Sequence, residues 1–358
     1  MQQFQCTTRI LSGRNALEAL GNIGSHRVML VTDRFFRENG TAERIAGMLR
    51  DCECSYFSDV LPDPEVTLVA RGCAELSRVG ADVVIALGGG SVLDCAKAMA
   101  YFSKTRPTLI AIPTTSGTGA EVTSFSILTH GGVKHPLVDA RLRPDWAILD
   151  ESLLTTLPPA LVADAGMDLI SHALEAVCAK NATPFTDSLA VGALQIALRY
   201  LPESYGGETA HRGDIHTAAA MAGLAFDRAG LGACHALSHA LGGRFHVAHG
   251  RLNAVLLPTV MAMNAPAALP RYAGAARACG LGYSIDQMAF RSLSAQLRQL
   301  RRTLGLPQTL AGASISYSEL TKRKKALIEA ALADPCMNGN PITPTAEQLN
   351  AILEEVAQ

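Results

Sequence analysis

In the first 150 positions the apolar residues come in short unbroken runs, each closed by small or turn-forming residues. RVMLVTD (Arg27 to Asp33), CSYFSDV (Cys54 to Val60), DVVIALGGG (Asp82 to Gly90) and TLIAIPTT (Thr108 to Thr115) are four of these. Between them lie segments that read as helices: a polar stretch to about Arg50, one from Glu65 to Val79, and SVLDCAKAMAYF after the glycines. Strands that are apolar throughout and alternate with helices predict a parallel sheet covered on both faces. Trp146 to Leu149 is the last segment that reads as a strand.

From about Glu151 the period changes. LLTTLPPALVADAGMDLISHALEAVCA, TPFTDSLAVGALQIALRYL and HTAAAMAGLAFDRAGLGACHALSHALGG repeat their apolar residues at helical spacing, and the remainder to Gln358 reads as helices with short loops. The pattern predicts an α/β, Rossmann-like parallel-sheet domain over residues 1–152 and an all-α domain over residues 153–358.

With 358 residues, 48% of them hydrophobic and 18% charged, the chain can bury a large core in two domains without disulfides. A net charge of −1 leaves no electrostatic footprint for nucleic acid. The one basic run, KRKK at Lys322 to Lys325, reads as a solvated helix face. Nine scattered cysteines, odd in number and never spaced CxxC, suit reduced thiols in a cytoplasm. The N-terminal residues lack the layout of a signal peptide, and no uninterrupted apolar stretch is long enough for a bilayer, so no membrane partner is expected.

Four of the ten histidines fall in HALSHALGGRFHVAH, His235 to His249. His235 and His239 are four apart and share a helix face. Gly242 and Gly243 are expected to break that helix so that a turn brings His246 and His249 round. A second pair at the same spacing, Asp168 and His172, lies in GMDLISHALEAV. An aspartate among Ala- and Leu-rich helices needs a partner, because an unpaired buried carboxylate is costly. One carboxylate with several imidazoles is a donor set suited to Zn²⁺ or Fe²⁺. Cys234 points off this face and is assigned to packing. His26, His130, His135, His211 and His216 are assigned to the surface without a role.

Gly88-Gly89-Gly90-Ser91 sits where a strand turns into a helix, and Thr114-Thr115-Ser116-Gly117-Thr118-Gly119 follows the next strand. Both lie at carboxyl ends of strands, where open parallel sheets bind ligands, and together they suit a pyrophosphate. Asp33 closes the first run and could accept from an adenosine ribose. A 2′-phosphate about 4 Å away would be repelled by roughly 4 kcal/mol, about a thousandfold, which predicts preference for NAD over NADP provided Asp33 faces the ribose; the alternative is that it caps the following helix.

GGGSVLDCAK, IPTTSGTGAEVT, PDWAILD, GMDLISHALEA and HALSHALGG…HVAHGRLNA, in this order, closely resemble the iron-containing (group III) alcohol dehydrogenases. The resemblance runs from about Arg9 to NPITPTAEQLNAIL, and within the family it is strongest to propanol dehydrogenases associated with bacterial microcompartments. It implies a dehydroquinate synthase-like fold with a dinucleotide domain, a helical domain and a catalytic divalent metal, usually Fe²⁺. Carried over position by position, the metal ligands are Asp168, His172, His235 and His249. His239 matches a histidine that faces the nicotinamide, and His246 matches no ligand. The coenzyme residues are Asp33, Gly89, Gly90, Ser91, Asp94, Thr114, Thr115, Ser116, Thr118 and Lys134. Ala240 departs from the family, where proline is common.

The implied activity is reversible hydride transfer between NADH and a short aliphatic aldehyde such as propionaldehyde, giving a primary alcohol, with His239 as the catalytic candidate for proton delivery. The resemblance also implies a homodimer or larger assembly in the cytoplasm, with residence in a microcompartment left open. Fe²⁺ and Zn²⁺ both suit the donor set. A zinc polyol dehydrogenase and a dehydroquinate synthase-type lyase are the rivals on the same fold. A metal-dependent hydrolase leaves the glycine and threonine turns without a task, and a non-catalytic metal-binding protein would lack an open coordination position.

Overall fold

The computed structural model describes residues 4–358, which form two compact units, residues 5–156 and residues 157–358 with Phe4. The first unit runs β1 (Arg9–Ser12), β2 (Arg27–Val31), α1 (Arg34–Glu38), α2 (Thr41–Ala46), β3 (Glu53–Phe57) and α3 (Val66–Val79). It continues with β4 (Val83–Gly88), α4 (Gly90–Phe102), β5 (Thr108–Pro113), β6 (Phe125–His130), β7 (Val133–Val138) and β8 (Trp146–Leu149). Six strands pair in the order β1-β8-β5-β4-β2-β3, all parallel. This is the parallel sheet that the apolar runs predicted. β4 is buried at every position, as a central strand covered on both faces must be.

Three features depart from the sequence expectation. The polar stretch to Arg50 is two short helices, separated at Gly40, whose φ of 81° no helix interior adopts. Edge strand β1 pairs Arg9 with Trp146 of β8 and was not anticipated. Nor was the antiparallel hairpin β6–β7, in which Thr129 faces Lys134. Its second strand, VKHPLV, carries a proline and no residue of it is fully buried, so it lacks an apolar run to announce it.

The chain leaves β2 toward the β3 edge and leaves β4 toward β5, so the strand order reverses between β2 and β4. A crevice at the carboxyl ends of those two strands is where open α/β sheets take ligands. Asp33 and Gly88 to Ser91 sit there.

The second unit holds the helices α5 (Pro159–Cys178), α6 (Pro184–Tyr205), α7 (Arg212–Ala229), α8 (Ala233–Phe245), α9 (His249–Ala278), α10 (Asp286–Thr303), α11 (Tyr317–Ala333) and α12 (Ala346–Glu355). α5 packs against α6, α7 and α9 and is buried almost throughout from Val162 to Cys178. A stripe of small residues permits that closeness. Gly250 marks the extreme: a Cβ there would lie 1.8 Å from the carbonyl oxygen of Asp164. The first turn of α9 is thereby set against α5 with His249 at its start.

The helix carrying His235 does not break at Gly242 and Gly243. It runs through both to Phe245, and His246 ends it in the left-handed conformation at φ 54°, its N–H donating to the carbonyl of Gly242. His246 is exposed. His216 also departs from expectation. It is 1% exposed on the inner face of α7, among alanines that leave room for an imidazole.

By length and composition α9 is the one helix among the described residues apolar enough to cross a bilayer. Its interior positions pack in the core, and it contains Pro258, Pro266 and Pro270. The basic run on α11 is matched by carboxylates: Lys322 pairs with Glu319 (2.8 Å), Arg323 with Glu319, Lys324 with Glu354 and Lys325 with Glu329 (3.9 Å).

The Gly250 contact gives a first test. Gly250→Ala should lower stability by about 3 kcal/mol or more, because backbone rather than a pliable side chain must move. Urea unfolding of the chelator-treated protein measures it, and an unchanged midpoint would mean that α9 does not rest on α5 here.

Candidate active site

Asp168 and His172 project from one face of α5, and His235 and His249 come from α8 and the start of α9. The Asp168 Oδ1 atom lies 3.9 Å from His172 Nε2, 3.7 Å from His235 Nε2 and 3.5 Å from His249 Nε2. Donor atoms around a divalent ion stand about 3.4 Å apart for bonds of about 2.1 Å, and one donor atom each of Asp168, His172 and His235 lies within 4.8 Å of the others, with His249 adjoining through Asp168. All four groups belong to the helical unit.

The orientation of the rings is set from behind. His235 Nδ1 meets Glu175 Oε2 at 2.6 Å, and His249 Nδ1 meets the Ser238 hydroxyl at 2.9 Å. With Nδ1 engaged from behind, each ring turns Nε2 toward Asp168, the nitrogen that is left for a metal. Asn253 supports this. Its Nδ2 donates to Asp168 Oδ1 at 2.8 Å and lies 3.3 Å from both His235 Nε2 and His249 Nε2, so one amide nitrogen touches three members of the cluster. His172 is sandwiched, stacking on Phe226 and on His235, each at 4.4 Å between centroids. Burial alone would raise the Asp168 carboxyl. The imidazoles of His172, His249 and His235 around it instead hold it well below the usual carboxylate range. Burial likewise opposes a charged His235, but the neighbouring Asp168 carboxylate and the bond to Glu175 carry the imidazole up to about 9. The cluster therefore attracts positive charge, and its donor set of three imidazoles and a carboxylate fits Fe²⁺ or Zn²⁺.

Glu175 holds more than one ring. It accepts from the backbone N–H groups of Gly232 (3.0 Å) and Cys234 (2.8 Å), while Asn340 accepts from Ala233 (3.1 Å). The unpaired amides that begin α8 are thus satisfied by side chains from elsewhere in the unit. Cys234 packs its thiol 3.7 Å from the Asn253 carbonyl and takes no part in the cluster. His239 stacks on His249 at 5.1 Å, and its Nδ1 meets Asp334 Oδ2 at 2.9 Å. Burial would raise the Asp334 carboxyl, yet the bond from His239 Nδ1 holds it below its ordinary value.

Glu175, Ser238, Asn253 and Asp334 were not singled out from the sequence. Glu175 could have been, since it stands three after His172 and seven after Asp168 on the same helical stripe. Asp334 is 95 residues from its histidine and sends no local signal.

In the sheet unit, Gly89 precedes α4, Gly90 opens it, and Ser91 accepts from the Asp63 N–H at 3.3 Å. Lys134, on β7, pairs with Asp63 at 2.7 Å. A Cβ on Gly90 would lie 2.8 Å from the Thr118 methyl, which explains glycine at that close approach. Thr114 donates its N–H to the Gly88 carbonyl (3.0 Å), tying the two turns together beside Thr115 and the buried Ser116. Burial pushes the Asp94 carboxyl up to about 6, against the pull of Lys97 and Lys134. Lys97, inside the SVLDCAKAMAYF helix, carries no local signal of a special role. It is 1% exposed, and its ammonium donates to the Ala120 carbonyl (2.8 Å) and to Thr123 (3.2 Å), fastening the loop after β5 to α4. Asp33 caps α1, accepting from the Phe36 N–H at 3.1 Å, and is only partly buried.

Comparison with known proteins adds an independent finding. A family model described as iron-containing alcohol dehydrogenase matches residues 7–151, and one described as the C-terminal part of the Fe-containing alcohol dehydrogenase family matches residues 162–357. The chain is 40% identical to a 1-propanol dehydrogenase, PduQ, of Citrobacter freundii, covering 99% of this chain and 100% of that one. It is 34% identical to an NADPH-dependent butanol dehydrogenase of Clostridium saccharobutylicum, covering 99% and 97%. A crystal structure of 1,3-propanediol oxidoreductase superposes with a TM-score of 0.93 at 30% identity, covering 99% and 100%.

Because Glu175 closes the start of α8 as well as holding His235, Glu175→Gln should weaken the helical unit even without metal. A loss of about 2 kcal/mol is expected in chelator-treated protein. Unchanged urea unfolding would show that the carboxylate carries no structural load.

Proposed function

We propose that this chain, which belongs to the iron-containing alcohol dehydrogenase family, interconverts short aliphatic aldehydes such as propionaldehyde and their primary alcohols with NAD(H). Asp168, His172, His235 and His249 would hold a divalent cation, Fe²⁺ or Zn²⁺. The observation that carries this reading is the set of three imidazole Nε2 atoms within 3.5–3.9 Å of one buried carboxylate oxygen. When bound, the cation supplies Lewis acidity toward a carbonyl or alkoxide oxygen and the nicotinamide carries the hydride.

The residues do the remaining work. Glu175 and Ser238 hold the imidazoles of His235 and His249 at Nδ1, so that neither ring has to turn when the donor set is used. His249, with 25% of its side chain exposed against 1–6% for His235 and His172, marks the side open to a small substrate. His239 holds a proton at Nδ1 against Asp334 and exchanges one at Nε2, which suits it to deliver or collect the proton at the substrate oxygen. Gly89, Gly90, Ser91, Asp94, Thr114, Thr115, Ser116, Thr118 and Lys134 would cradle the dinucleotide, with small side chains and backbone N–H groups facing phosphate. Asp33 would accept from the adenosine ribose and repel a 2′-phosphate. A lyase would need cations to grip an anionic substrate near the cluster, and Arg251 is already committed to Asp164 through two hydrogen bonds. Homodimer formation and residence in a microcompartment belong to the same family reading.

Anaerobic NADH oxidation with propionaldehyde, after loading with Fe²⁺ or Zn²⁺, tests the activity. Turnover lost on chelation supports it, and no turnover with either metal despite NADH binding discards the substrate class. His249→Ala should lose metal and turnover together, on the order of 100-fold in kcat/KM; full activity with unchanged metal content would refute the ligand set. Asp33→Ser keeps a capping oxygen and removes the charge. It should raise kcat/KM for NADPH by about 100-fold or more, and an unchanged NADPH to NADH ratio would take Asp33 out of coenzyme choice.

A further inference from the structure

We propose that His239, Asp334 and Cys336 form a second metal site, one that contains a thiol, takes Zn²⁺ and silences His239 when filled. One donor atom from each of the three lies within 4.8 Å of the others. The side chains of His239 and Asp334 are 9% and 7% exposed, and Cys336 is 5% exposed, so the donors are held inside the unit rather than scattered on its surface. Asp334 organises them: Oδ2 lies 2.9 Å from His239 Nδ1, and Oδ1 accepts from the Cys336 N–H at 2.8 Å. His239 stacks flat on His249, and it is Nδ1 that lies against Asp334, on the other donor group.

Imidazole, carboxylate and thiolate are all zinc ligands, and three of them leave a fourth position for water. The softer sulfur separates this set from that of Asp168, whose donors are nitrogen and oxygen only. Binding balances without an oxidant. The Cys336 thiol gives its proton to solvent as the Zn–S bond forms. The proton on His239 Nδ1 is displaced and returns at Nε2 by exchange with solvent, so the ring stays neutral and one proton is released overall. Thiolate and carboxylate neutralise the ion, which lowers the cost of holding it in a buried place. The consequence for turnover rests on the proton role given to His239 above. With Nδ1 bound to metal and Nε2 protonated, the ring can no longer alternate between donor and acceptor.

Co²⁺ is a suitable probe, because a sulfur-to-cobalt charge-transfer band reports a thiolate ligand and the Asp168 group has none. Anaerobic titration of Co²⁺ into the full-length protein should give a saturable band. Cys336→Ser should abolish it, Cys234→Ser should retain it, and Asp334→Asn should weaken the site by roughly tenfold or more. Zn²⁺ should displace the band and inhibit NADH-dependent turnover of the Fe²⁺-loaded enzyme, while Cys336→Ser enzyme keeps its activity in the same Zn²⁺ concentration. No band, or a band that survives Cys336→Ser in protein of normal thermal stability, overturns the site. Should Cys336→Ser fail to fold, a band of undiminished affinity in Asp334→Asn overturns it instead. Zn²⁺ inhibition that is equal in Cys336→Ser enzyme assigns the effect to the Asp168 group and overturns the regulatory claim. A thiolate band with undiminished turnover also overturns that claim, and it removes His239 from the reaction without touching the Asp168 group.

Discussion

A carboxylate buried among three imidazoles is the constraint on which the helical unit depends. Asp168 cannot remain ionised inside Ala- and Leu-rich helices unless positive charge or hydrogen-bond donors face it. Three rings and the Asn253 amide meet that need, and they come from α5, α8 and α9. Each helix must therefore approach closely, and small residues allow it, most tightly at Gly250 against the Asp164 carbonyl. Packing and site chemistry are the same requirement seen at two distances.

Glu175 makes the link explicit. One side chain closes the first amides of α8 and holds the ring of His235. A helix start that is pinned by the same carboxylate as its own functional histidine cannot drift relative to α5 without losing both. The reciprocal pair Asn264–Asn340, at 2.9 Å in each direction, ties α9 to the turn after α11 and through Asn340 to Ala233. Three helices thus present side chains to one point from a scaffold whose polar atoms satisfy one another.

Much of this was legible in the sequence because periodicity carries it. Unbroken apolar runs give parallel strands, and spacing of four puts Asp168 with His172 and His235 with His239 on shared faces. What failed were inferences from residue type alone. Gly242 and Gly243 suggested a break, yet the helix passes through them and ends at His246, the residue that adopts a positive φ. His216 lacked polar company in the sequence and was assigned to the surface, but an alanine-lined helix face buries it. The β6–β7 hairpin has no uniform apolar run, since one of its strands is never fully buried. Asp334 and Asn253 needed three dimensions: the first comes from a distant turn, and the second is an ordinary asparagine until its amide nitrogen meets Asp168, His235 and His249. The sheet unit was clearer, because strand ends followed by small residues mark a ligand crevice whatever the ligand is.

X-ray absorption at the iron edge of anaerobically loaded protein reads the donor set itself. The spectrum should show scattering from three imidazole nitrogens and one carboxylate oxygen at about 2.1 Å, with no sulfur, and loss of an imidazole shell in His249→Ala. Fewer than three imidazoles, or a sulfur neighbour, would contradict the assignment of Asp168, His172, His235 and His249 as one metal centre.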